Sequence, residues 1–198
     1  MHEVTVISDY SERRIMVNAL VLALTTALPA FAQATESPYT SIQGREIKAL
    51  SQERVDSYVE GHGMGLALAA ELNGYPGPKH VLELQQDLDL SGDQKTATKA
   101  IFTEMNMAAK ALGAEIVALE LELDRLFSSR AMDDETLRVK TGRIAQLEGK
   151  LRAAHLLAHL KMMNVLRTEQ VERYSQLRGY GSGEHHGNHH SMKHHQKN

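Results

Sequence analysis

His155 and His159 stand four residues apart, and Met163 follows after four more. Side chains at that spacing share one face of a helix, so two imidazoles and a thioether form a row that can grip a transition ion. Zinc sites commonly use three or four protein donors. The others would come from His62, Met64, His80 or a glutamate. The competing reading makes His155 a hydrogen-bonded histidine of a helix interface and His159 a surface residue. A second concentration of donors closes the sequence, with His185, His186, His189, His190, His194 and His195 in three adjacent pairs near Glu184 and Met192. Gly181-Ser182-Gly183 ahead of them reads as a flexible joint, giving a His-rich tail over 181–198. Such a tail can wrap zinc, copper or nickel with little selectivity. Gly187, Asn188, Ser191, Met192 and Lys193 break up the run, unlike a plain purification tag. Imidazole ligates only when neutral, so tail affinity is expected to fall in acid, below about pH 6.5.

The chain holds no cysteine, so disulfides, thiolate sites and cysteine nucleophiles are excluded. No Gly-rich phosphate loop, His-Glu-x-x-His or G-x-S-x-G motif occurs, nor do the Glu-x-x-His repeats of a di-metal carboxylate bundle. The expectation is a binding protein and not an enzyme. A net charge of −3 draws the molecule neither to nucleic acid nor to an anionic membrane surface.

The elements that must position the histidines lie between Ser91 and Tyr180, which read as two long amphipathic helices reversing at Ser128–Asp134. In the first, Ile101, Met105, Ala108, Leu112, Ile116, Leu119, Leu123 and Leu126 recur in steps of three and four. In the second, Leu137, Ile144, Leu147, Ala154, Ala158, Met162, Val165 and Leu166 fall on the Leu151 side at about 100° per residue. His155, His159 and Met163 then sit at about 40°, 80° and 120° from Leu151, from the seam's flank outward. Such helices reach on the order of 50 to 65 Å. A compact domain of this size needs less, so a second layer is expected from elsewhere in the chain or from another copy. Glu115, Glu120, Glu122 and Asp124 face the Arg138, Lys140, Arg143, Lys150 and Arg152 region across the reversal, where ion pairs can set register.

Upstream, Ser51 caps a first helix expected to run to Asn73-Gly74, bent at Gly61, Gly63 and Gly65. Tyr75-Pro76-Gly77-Pro78 turns the chain into a short helix over Lys79–Leu88 carrying Val81, Leu84 and Leu88 inward. Residues 33–50 read as a loose leader. Arg13-Arg14 and an apolar run from Ile15 to Ala30 end in Ala30-Phe31-Ala32, the pattern of a cleaved signal peptide over 1–32. Export to a periplasm is therefore expected, with translation starting at Met1 or Met16; an uncleaved inner-membrane anchor is the alternative.

Leu90-Ser91-Gly92-Asp93-Gln94 resembles the LTxxQ motif of the Spy/CpxP family of periplasmic proteins, which includes zinc-resistance-associated and heavy-metal sensor relatives. Ser91 and Gln94 are also the residues of a capping box. Leu166-Arg167-Thr168-Glu169-Gln170 resembles the second copy expected late in the last long helix, with Arg167 in place of the capping hydroxyl. Asn73 to Pro78 followed by His80-Val81-Leu82-Glu83-Leu84 is similar to exported members, and the likeness covers residues 51–180. It implies an all-α, intertwined homodimer built on a long antiparallel helical hairpin with shorter N-terminal helices. It also implies one of two functions. The first is binding of a transition metal in heavy-metal sensing, resistance or envelope stress, with a membrane sensor kinase or anti-sigma regulator as partner. The second is ATP-independent chaperoning of unfolded periplasmic proteins, for which Met105, Met107, Met162 and Met163 offer an adaptable apolar surface. The metal-sensor relatives carry His-x-x-x-His on an early helix, where this chain has only His62.

Overall fold

The computed structural model describes residues 37–180. The signal segment over 1–32, the start of the leader and the histidines of the 181–198 tail lie outside them. By compactness the chain divides at Ser41/Ile42. The first unit contributes only Ser37–Ser41 to the described residues, where Thr40 donates to the Ser37 carbonyl. All that follows concerns the second unit.

The described residues form helices and no strand. The helices are α1 (Gln52–Glu60), α2 (Leu68–Glu71), α3 (Pro78–Glu83), α4 (Gly92–Ser128), α5 (Asp134–Met162) and α6 (Thr168–Leu177). None is long and apolar enough to cross a membrane. Ser51 Oγ caps α1 by accepting from Arg54 N at 3.2 Å. Ser91 and Gln94 close a reciprocal capping box on α4, and Asp133 caps α5 through Thr136 N at 2.8 Å. Lys140–Glu122, Arg143–Glu115 and Lys161–Glu104 join α5 to α4. Positions rise along one helix as they fall along the other, so the two run in opposite directions. Asp124, expected to serve that seam, instead binds Lys48 through its backbone and its ammonium.

The short helix expected over Lys79–Leu88 runs only from Pro78 to Glu83, and three further stretches depart from the sequence expectation, each for a local reason. The first helix is broken, not bent. Gly61 takes φ 70° and His62 N bonds back to Ser57 O at 2.9 Å, a helix-ending pattern. Met64 (φ 45°) and Gly65 (φ 77°) keep the backbone left-handed before α2 restarts it. The last long helix also stops early, at Met162, and the second glutamine motif opens a new helix instead of lying inside the old one. Arg167 offers no side-chain acceptor, so only the return half of its cap forms, from Arg167 N to Gln170 Oε1 at 3.0 Å. The leader, finally, is anchored well before Ser51: Ile47 is buried and Leu50 packs on the core.

Two apolar clusters hold the helices. Tyr58, Ala109, Ile116, Leu147 and Leu151 form one, where Gly113 admits α1 so closely that a Cβ would run into the Tyr58 carbonyl. Val81, Leu88, Leu90, Met162, Leu166 and Tyr174 form the other. Along α5 the buried face reads Leu147, Leu151, His155, Ala158, His159, Met162. The two histidines therefore interrupt an apolar stripe between the clusters.

Candidate metal centre

That interruption opens onto a cleft of about 820 Å³ lined by His155 and His159 from α5, Glu71 from α2, residues of the α1–α2 connection and the start of α3. Both α5 histidines are buried, at 3% and 8% exposure, so His159 is not the surface residue that its helical angle suggested. The Tyr75–Pro78 turn covers it. A Cβ on Gly77 would stand 2.9 Å from His159 Cε1, 3.1 Å from Nε2 and 3.4 Å from Glu71 Oε2, so glycine leaves that space open.

The hydrogen-bond pattern fixes the chemistry of His159. Its Nδ1 lies 2.7 Å from the Tyr75 carbonyl oxygen. A carbonyl can only accept, so Nδ1 carries a proton, and in the neutral ring Nε2 then presents the lone pair. Histidines that bind metals commonly have this arrangement, one ring nitrogen donating to a carbonyl and the other left to ligate. His155 Nε2 is buried with no hydrogen-bond partner among the described residues. Burial, aided by the neighbouring His159, holds the His155 pKa below its ordinary value. The ring is therefore kept neutral, as ligation requires.

Glu71 divides its carboxylate between two tasks. Oε1 accepts from Tyr174 Oη at 2.6 Å, Tyr180 Oη at 3.1 Å and Arg178 Nε at 3.3 Å. Burial and the adjacent carboxylate push the Tyr174 phenol far above its usual range, so it remains a donor. Oε2 is buried and unpartnered, 3.8 Å from His159 Nδ1. An unsatisfied buried polar atom costs about 1–3 kcal/mol. Two such atoms, Glu71 Oε2 and His155 Nε2, belong to residues that line the cleft, and they are the side-chain orphans of the described residues.

His62 and His80 line the same cleft, His62 Nε2 3.0 Å from Glu60 Oε2 and His80 Nδ1 2.8 Å from Glu83 Oε2. Met64 and Met105 line it as well. Met163 lies outside: the end of α5 leaves it as the C-terminal cap, 39% exposed. Among the described residues no three His, Cys, Asp or Glu side chains already stand at ligating distance of one point. An ion would have to draw them in. His155, His159 and Glu71 nonetheless supply a nitrogen and oxygen donor set suited to zinc, nickel or copper. Sequence reasoning did not single out Glu71; a carboxylate inside Leu68-Ala-Ala-Glu-Leu72 was the available signal.

No family model, curated protein or solved structure matches the chain.

Proposed function

We propose that this protein binds a transition-metal ion in the α5 cleft, with His155, His159 and Glu71 as ligands, and that it serves metal sensing or resistance in an exported compartment. The supporting observation is the pairing of the His159 tautomer, Nδ1–H given to Tyr75, with the buried unpartnered oxygen of Glu71. Bound there, the ion would supply positive charge to the one face of the Glu71 carboxylate that the protein leaves bare. The resemblance to the Spy/CpxP family, the signal-like N-terminus and the His-rich tail agree with this reading. In it the antiparallel α4/α5 pair is the hairpin of a homodimer.

Because the tail histidines are expected to bind metals too, the test replaces all of His185, His186, His189, His190, His194 and His195 by asparagine in the full chain. Zinc titration by calorimetry should still show a site, and His155→Leu should abolish it. No zinc binding by the tail-substituted chain would refute the cleft. The chaperone alternative draws support from Leu157, Leu160 and Met163, exposed at 53%, 51% and 39%. Met162 does not belong to that surface, being buried completely. Failure to suppress aggregation of a reduced model client at stoichiometric protein would end that alternative.

A further inference from the structure

The cleft is much larger than an ion. At about 820 Å³ it falls among pockets that take small organic molecules, about 300–1,000 Å³, whereas zinc sits about 2.0–2.2 Å from nitrogen and oxygen donors. Three protein donors also leave a coordination position open to an outside ligand. The charges on the walls indicate what that ligand is. Glu71 is answered by Arg178 at 3.3 Å. Lys79 and Lys110 form no ion pair among the described residues. With Glu60 and Glu71 set against Lys79, Lys110 and Arg178 on the cleft walls, a bound dication leaves positive charge in excess.

We propose that the cleft takes its metal as a chelate with a small polycarboxylate, one carboxylate completing the coordination and the others facing Lys79 and Lys110. This rests on the metal site argued above.

Equilibrium dialysis of the tail-substituted full chain against labelled citrate, with and without zinc, tests it, both zinc and citrate being counted. The expected result is about one citrate retained per chain with zinc, the stoichiometry of one open coordination position, and none without it. Lys79→Ala combined with Lys110→Ala should weaken that retention about fivefold or more, the scale of two partly screened charge contacts. With citrate present, zinc retained with no citrate beside it, or zinc stripped from the protein as citrate rises, overturns the chelate and leaves the metal site standing. Citrate retained equally without zinc also overturns it. No zinc retained before citrate is added overturns both.

Discussion

Two polar clusters in this molecule are satisfied to different degrees. In the glutamine clasp, Gln94 Nε2 donates to Val165 O at 2.9 Å and to Gln170 Oε1 at 2.7 Å, while Gln170 Nε2 donates to Leu88 O at 3.0 Å. Their carbonyl oxygens take up Ser91 N and Arg167 N, donors that helix starts leave over. The clasp thus ties the openings of α4 and α6 together with its polar atoms matched inside the chain. In the cleft, Glu71 Oε2 and His155 Nε2 are buried and have no hydrogen-bond partner among the described residues. A matched network contributes to stability, whereas an unmatched one costs stability and leaves atoms ready for a ligand.

That contrast breaks most visibly at the cleft. In the tail-substituted chain, His155→Leu should lower zinc affinity by more than about 100-fold, beyond what loss of a mere supporting contact produces, as calorimetry would show. The clasp should answer with stability instead. Gln170→Ala strands the Arg167 N–H, the Leu88 carbonyl and half of Gln94, and should cost about 2–4 kcal/mol by urea midpoint. An unchanged midpoint would make the clasp ornamental. A smaller effect is expected from Gly77→Ala, whose methyl would crowd His159 and Glu71; zinc affinity should drop about tenfold with the urea midpoint little moved. The smallest sharpens the contrast from the other side. Without metal, His155→Leu should leave stability within about 1 kcal/mol of the parent or raise it, because it removes an unsatisfied group.

The pH dependence of that last variant carries a sign. His155 has a folded-state pKa below its ordinary 6.5, from burial first and His159 second. The unfolded chain then binds its proton first as pH falls. Stability present above about pH 6.5 should therefore be lost progressively below it, and His155→Leu should flatten that slope in metal-free urea titrations.

Much of the frame was legible because it rests on periodicity and caps. Ser91 with Gln94, Asp133 and the apolar stripe through Leu147, Leu151 and Met162 are local signals, and the structure uses each. The break at Gly61 was only half legible: glycines at 61, 63 and 65 announce left-handed backbone, but whether a helix bends or ends there depends on what packs beyond it. The site was legible as the pair on α5 and obscure elsewhere. Helical angle alone put His159 toward solvent, because the Tyr75–Pro78 turn that buries it comes from 84 residues away along the chain. Glu71 meets Tyr174, Arg178 and Tyr180 across more than 100 positions, a convergence that no local spacing encodes.

Anomalous diffraction at the zinc edge, on crystals of the tail-substituted chain grown with zinc, bears most directly on the cleft. A peak within about 2.0–2.2 Å of donors from His155, His159 and Glu71 is the expected result, with the Tyr75 carbonyl still holding His159 Nδ1. Zinc bound elsewhere on the chain, with Glu71 Oε2 and His155 still bare, would contradict it.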